Sequence, residues 1–555
     1  MTNEPGGRRI DGWFALGLLL TAFFLAFVLY PLLLILYKSV LDPASGETTF
    51  ANFMKFFNRK YYWITLWNSV KVTTCSTLIA TALGLPMAYV LRNVRIRGLQ
   101  VVNILIVISY LSPPFIGAYA WIQMLGRNGL LTRLAGTLFG IQFKGIYGFA
   151  GIVLVFSLQS FPLVYLYVSG ALKNLDNSLN EAARSLGCST FQCVCRVVTP
   201  LILPTLLASA LLVFMRVFSD FGTPMLIGEG YRTFPVLIYT QFMGEVSTDS
   251  HFAAALCVIV IGITLLLFFL QGMLARRWSY SMSALRPMEA KKLSGLPNFL
   301  AHAFVLAVVA LAIVPQCTVI FSSFLETKGG HVYTGNFSLE NYANTLLAKD
   351  NNAIVNTYLF GIAAIAIVVV MGVLISYLST RRKSPLTSVL DTMTMMPYII
   401  PGSVLGISFL YAFNAPPIVL ANTPLIMIIA LSLRRMPYTI RSSTAIISQI
   451  SPSIEEAAIS FGASERTTFL RVTLPMMLPG VLAGAIMSWI TIISELSSSI
   501  ILYTSRTRTL TVAIYAEVIR SNFGNAAAYS TVLTVTSVIS LLLFFKLSGK
   551  REISI

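Results

Sequence analysis

Charge is scarce in this 555-residue chain. Asp, Glu, Lys and Arg together make up 11%, and only 21 residues are acidic. A soluble protein of ordinary composition carries roughly a quarter charged residues. With 56% hydrophobic residues, the apolar surface exceeds what a water-soluble core hides, so lipid must solvate much of it. The three histidines, His251, His302 and His331, lie far apart and form no metal-ligand spacing. Cys188, Cys193 and Cys195 share one predicted loop without a zinc pattern and read as small apolar residues. No Gly-x-x-x-x-Gly-Lys-Ser/Thr run occurs, so the usual phosphate-binding loop for ATP is missing. No nucleophile or metal cluster stands out at membrane depth, which argues against a membrane enzyme.

Long apolar runs are abundant. A membrane-spanning helix needs about 20 such residues, and twelve segments qualify: 13–36, 63–91, 100–124, 146–171, 201–228, 252–274, 299–321, 353–379, 386–413, 420–440, 476–502 and 526–546. Helices satisfy their own backbone hydrogen bonds in lipid. The expected fold class is therefore an all-α membrane protein with 12 transmembrane helices. The first segment is too long for a signal-peptide core and reads as a retained span. The net charge of +18 could suggest nucleic acid, but the basic residues gather at alternate loops. Arg92, Arg95 and Arg97 follow the second segment; Arg276 and Arg277 follow the sixth; Arg381, Arg382 and Lys383 follow the eighth. Arg434, Arg435 and Arg441 sit about the tenth. This one-sided bias marks the cytoplasmic face, and it puts Arg8, Arg9 and both termini there. Lys71 in the second segment reads as a snorkelling residue.

The chain repeats itself. Glu181-Ala182-Ala183-Arg184-Ser185-Leu186-Gly187, continuing to Arg196, Pro200 and Pro204, returns as Glu456-Ala457-Ala458-Ile459-Ser460-Phe461-Gly462, continuing to Arg471, Pro475 and Pro479. One constant offset, from Glu181 to Glu456, relates every pair. Ser219-Asp220 returns as Ser494-Glu495 at that same offset, while Asn68, Gly84 and Tyr89 return as Asn356, Gly372 and Tyr377 at a slightly longer one. Two six-span halves follow, residues 1–285 and 286–555, with a basic linker at about 276–297. Six spans is an even number, so both halves share one orientation, with a pathway between them.

Both copies of the motif lie in the loop after the fourth span of their half, about 172–200 and 443–475, on the cytoplasmic side. Ser178 and Ser453 each precede a Glu by three residues, as in a capping box; alternatively Ser451 caps, with Pro452 at the first helical position. Leu175, Leu179, Ala182, Ala183 and Leu186 recur at helical spacing. Gly187 and Gly462 suit the left-handed residue that ends a helix. Each loop thus reads as a short amphipathic helix facing the cytosol, shaped to enter a groove.

Glu-Ala-Ala, three residues, Gly, and the run to Arg and Pro resemble the coupling loop of binding-protein-dependent ABC import permeases, and the six-plus-six span pattern extends that resemblance over nearly the whole chain. It implies two pseudo-symmetric permease halves in a bacterial inner membrane. It implies that Glu181, Ala182, Ala183 and Gly187, with Glu456, Ala457, Ala458 and Gly462, dock two copies of an ABC nucleotide-binding subunit. ATP and Mg would be used by that partner, and no cofactor is expected in this chain. A periplasmic solute-binding protein would be the third component, and no nucleic acid is expected.

Arg216 and Asp220 stand four apart in the fifth segment, and Glu495 occupies the matching place in the second half. Ionisable residues inside a span are costly, so these three are expected to line the pathway. Ser112-Pro113-Pro114, Pro397 and Pro401-Gly402 signal broken third helices, with Tyr110, Phe115, Tyr398 and Tyr411 able to narrow a cavity there. The fused form with Ser219-Asp220-Phe221-Gly222-Thr223-Pro224 is similar to ferric-iron importer permeases. Fused permeases for phosphonates, sugar phosphates and thiamine share it, so those solutes stay open. Asp220 and Glu495 suit a cation such as Fe³⁺, and Arg216 suits an anion. A gradient-driven 12-span transporter is the competing class, but Leu91-Arg92-Asn93-Val94-Arg95-Ile96-Arg97 lacks the basic loop motif of the major facilitators.

Overall fold

The computed structural model describes residues 12–42, 45–140, 143–244, 249–277, 290–330, 332–347 and 352–548. The chain ends, and with them the expected cytoplasmic termini, lie outside the described residues, as do the 285/286 boundary and His331.

Each expected span contains helix among the described residues. Among the described residues, nine helices are long and apolar enough to cross a membrane, or up to eleven if each of two bent pairs counts as one. The count of twelve is not reached on this measure. The tenth expected segment is a 24-residue helix, Pro424–Ile447, but Arg434, Arg435 and Arg441 fall within it. The two bent pairs are the expected broken third helices. Leu99–Tyr110 and Pro114–Phe139 meet at 98°, and Pro385–Ile399 and Gly402–Phe413 at 111°. In each, a proline without an N–H follows a residue in extended conformation, Ser112 or Ile400, so the helix cannot continue. Among the described residues, one two-stranded sheet stands beside the helices, a hairpin of Leu325–Lys328 with Val332–Phe337. Gly329 and Gly330, both with positive φ, form the turn between these strands.

The repeat holds at the level of backbone geometry. Asn177–Ser185, Thr190–Cys193 and Thr199–Phe218 return, with bounds shifted by the offset of the motif, as Pro452–Ser460, Glu465–Thr468 and Leu474–Ile493. A wide π turn enters the fifth helix in both halves, at Val194–Val198 and Phe469–Thr473. The second and fourth helices of each half touch through a glycine. A Cβ on Gly84 would come 2.7 Å from Val164 Cβ, and one on Gly372 would come 2.9 Å from Thr439 Cγ2. Asn68 Nδ2 donates to Arg232 O at 3.1 Å, and Asn356 Nδ2 donates to Arg508 O at 3.0 Å. One residue further on, Ser69 and Thr357 hydroxyls accept the N–H of Phe234 and Leu510, the first residues of matching ten-residue helices.

The first helix of each half packs on the other half. Trp13 lies 4.9 Å from the Tyr377 ring and 5.2 Å from Phe469, and Phe27 lies 5.4 Å from Phe413. In return, Thr318 and Ser322 donate to Met124 Sδ and Gln123 Oε1 at 3.3 and 3.1 Å. Tyr411 is part of this exchange. Lys38 sits 4.4 Å over its ring and its hydroxyl donates to Ser250 O, so it packs between halves rather than narrowing a cavity. Phe115 is likewise buried packing, at 3% exposure.

Candidate functional site

The two loop helices are capped alike at both ends. Asp176 accepts the Ser178 N–H at 3.0 Å, and Ser451 accepts the Ser453 N–H at 3.4 Å with Pro452 at the first helical position. The capping box on Ser178 and Ser453 is therefore replaced by caps two residues earlier, because a carboxylate or hydroxyl already stands where the first orphan amides point. Glu181 instead accepts from Asn177 Nδ2 at 2.8 Å. At the far end Gly187 and Gly462 have φ of +88° and +86°. Cys188 N–H reaches Ala183 O and Gly187 N–H reaches Arg184 O; Ala463 and Gly462 repeat both bonds to Ala458 and Ile459. This paired closure satisfies carbonyls the helix end would leave bare.

The outward faces carry the expected motif. Glu181, Ala182 and Gly187 are exposed, as are Glu456, Ala457 and Gly462, while Ala183 faces inward at 9% and Ala458 is half-buried. Beside each glycine stands a large apolar side chain in the open: Leu186 at 86% exposure and Phe461 at 93%. The second loop is anchored by Arg381, which donates to Glu455 Oε1 at 2.9 Å and to Ile450 O at 2.7 Å, and by Arg382 with Glu465 at 2.6 Å. Thr199–Phe218, Ser250–Arg277, Leu296–Ser323 and Ala353–Arg381 separate the first loop from Arg381. Taken as crossings, these four helices return the chain to the face it left, so both loops share one side.

The interior departs further from expectation. The fifth helix ends at Phe218, so Asp220 lies beyond it and not on a helical face with Arg216. Asp220 accepts the Thr223 N–H at 2.9 Å, and Glu495, past the end of Leu474–Ile493, accepts the Ser498 N–H at 3.2 Å. Both acids leave their helix and each accepts an amide N–H at the entry to the next short turn, Gly222–Ile227 or Ser499–Leu502. Glu495 is buried at 3% exposure. Arg434 lies 3.3 Å from Oε1, Arg435 bonds Oε2, and the Thr511 hydroxyl bonds the Glu495 carbonyl. Arg434 and Arg435 are thus interior residues and not part of the cytoplasmic basic cluster. An Arg-Arg pair deep inside an apolar segment is the signal for this; tallied with the loop arginines, it stays hidden.

Arg216 lies 4.6 Å over the Tyr110 ring. Tyr110 and Tyr398 are mates at the longer of the two repeat offsets, the one that pairs Asn68 with Asn356, and each stands two residues before the break in its third helix. They come within Coulombic reach of one another and of Tyr438, Arg435 and Tyr167. Tyr398 stands edge-on to Tyr438, with centroids 5.7 Å apart and planes at 88°. The fourth helices also match: Gln159 Nε2 donates to Pro114 O at 3.2 Å, and its mate Arg434 presses against Gly402, leaving no room there for a Cβ. Among the described residues, no three His, Cys, Asp or Glu gather as a group able to hold a metal ion.

The profile of the binding-protein-dependent transport system inner membrane component family matches residues 80–280 and 368–551. The ferric transport system permease protein of Actinobacillus pleuropneumoniae is 27% identical over 548 residues, 97% of this chain and 78% of that one. An Fe(3+)-transport system permease protein of Haemophilus influenzae is 26% identical over 493 residues, 87% of this chain and 90% of that one. A chain in the crystal structure of a bacterial ABC transporter for the acidic polysaccharide alginate aligns with a TM-score of 0.40 and 16% identity, covering 48% of this chain and 96% of the other.

Proposed function

This chain belongs to the family of binding-protein-dependent transport system inner membrane components, and we propose that it is the fused permease of an ATP-driven importer that receives ferric iron from a periplasmic binding protein and passes it into the cytoplasm. It is a multi-pass inner-membrane transport component. The choice of iron rests on the ferric permeases to which it is similar over nearly its full length.

One observation supports the machinery: two short helices, one in each half, capped at matching positions, each exposing one large apolar residue beside the glycine. Leu186 or Phe461 gains about 1.5–3 kcal/mol when fully buried, and the described residues of the chain leave both in the open. Two copies of a separate ATPase subunit, which holds ATP and Mg, would seat these helices. Glu181, Ala182, Ala183, Gly187 and their mates Glu456, Ala457, Ala458, Gly462 form the contact. Both termini are on this cytoplasmic face. The solute passes between the halves beside Arg216, Asp220 and Glu495, with the two acids fixing the backbone of the route.

Reconstitution in lipid vesicles with the ATPase and binding protein tests this. ATP-dependent accumulation of radioactive Fe³⁺ is expected, and it should vanish when Glu181→Lys and Glu456→Lys are combined. Uptake without ATP, driven by a proton gradient, would refute the importer reading. ATP-driven uptake of a phosphonate, a sugar phosphate or thiamine instead of iron would refute the solute.

A further inference from the structure

Glu495 is not available as a ligand for a bare cation: it is occupied by Arg434, Arg435 and the Ser498 amide, while Asp220 has one oxygen committed to the Thr223 amide. What meets between the two broken third helices is a set of donors: the phenols of Tyr110, Tyr398, Tyr438 and Tyr167 and the guanidiniums of Arg216 and Arg435. Tyr110 of the first half is the link: it lies within reach of Arg216 on its own side and of Tyr398, Tyr438 and Arg435 of the second half. These side chains are not packed shut. Tyr398 keeps 36% of its surface free, Tyr110, Tyr167, Tyr438 and Arg216 are partly exposed, and the Arg435 side chain keeps 17%, although all lie within helices. Each therefore keeps some surface that a small molecule can touch.

The formal charges in this region are Arg216, Arg434 and Arg435 against Asp220 and Glu495, which leaves a net positive charge. A naked trivalent cation meets repulsion here. An oxyanion meets two guanidiniums, each a fork of N–H donors suited to paired oxygens, and phenol O–H groups around them. Resting on the permease reading, we propose that the Tyr–Arg cage between the halves is an oxyanion-binding waypoint. Its ligand is a phosphate- or carboxylate-type anion, free or bound to the ferric ion it accompanies. The cation would then cross this point as a complex whose outer oxygens face the cage.

Equilibrium binding to the purified chain in lipid nanodiscs tests this with three probes: inorganic phosphate, citrate, and ferric citrate. Saturable binding is expected, weakened roughly tenfold or more by Arg216→Gln and partly kept by Arg216→Lys. Tyr398→Phe, which removes one hydroxyl and no packing volume, is expected to weaken it less. Binding of phosphate and citrate alone assigns the cage to free anions; binding of ferric citrate only assigns it to the accompanied metal. Affinity unchanged by Arg216→Gln and Tyr398→Phe would overturn the proposal. So would Fe³⁺ alone binding with a visible phenolate-to-iron absorption band that Tyr398→Phe diminishes, which would make the cage a cation site. Copurification of the ATPase with the same variants separates the two levels: if the ATPase stays bound while anion binding is indifferent to them, the cage is wrong and the permease reading stands.

Discussion

Arg434 in the fourth helix of the second half and Glu495 just past the end of the fifth meet at 3.3 Å, with Arg435 on the other carboxylate oxygen. The ion triad joins the fourth helix to the break after the fifth. Removing the single anion strands two largely buried guanidiniums. Glu495→Gln is expected to destabilise the chain by about 3–5 kcal/mol, the usual cost of an uncompensated buried charge. The melting temperature in nanodiscs reads this directly; a value matching the parent would mean that water or lipid phosphate reaches these arginines.

Helix contact through glycine gives a prediction with two signs. Gly84→Ala places a methyl 2.7 Å from Val164 Cβ and 2.8 Å from Phe161 O, and overpacking of this kind costs about 1–3 kcal/mol. Gly170, in the helix that Gly84 packs on, has nothing within 4 Å of its would-be Cβ. Gly170→Ala is expected to gain about 0.5–1 kcal/mol by lowering backbone entropy in the unfolded chain. Comparing the two variants in one thermal assay checks the contact; destabilisation of equal size in both would deny it.

At Gly187 and Gly462 the demand is conformational. Both have positive φ and open space where a Cβ would go. A valine there costs about 1–2 kcal/mol in left-handed backbone, and asparagine costs less. Gly187→Val and Gly462→Val should fray the loop helices and lower ATP-driven uptake, with the asparagine variants closer to the parent. Equal loss for valine and asparagine would point to a steric contact with the partner rather than to backbone geometry.

Much of the fold is legible because lipid imposes length and apolarity on each span, and because a duplicated chain reports its own symmetry. The Glu-Ala-Ala repeats, the breaks at Pro113 and Pro401, and the matched Asn68 and Asn356 can all be read directly. Pro424–Ile447 is visible as an apolar segment, but its arginines group with those of the loops: their partner, Glu495, sits in the break after another helix, and only packing brings them together. The same limit applies to Asp220. Its spacing from Arg216 suggests one helical face, yet the helix ends at Phe218 and the acid accepts the Thr223 amide beyond it. The Tyr110–Tyr398 relation needs both halves in place. Their offset is already in the repeat, but nothing in it says that the two breaks face each other.

The most direct test of the account is the composition of the complex. Native mass spectrometry of the chain purified with its ATPase subunit should show one permease with two ATPase copies. Phe461→Asp should leave one copy bound, and Leu186→Asp with Phe461→Asp should leave none, while the chain's melting temperature holds. A single ATPase copy on the parent, or two copies still bound to the double variant, would contradict twin docking helices as the means by which this membrane protein is driven.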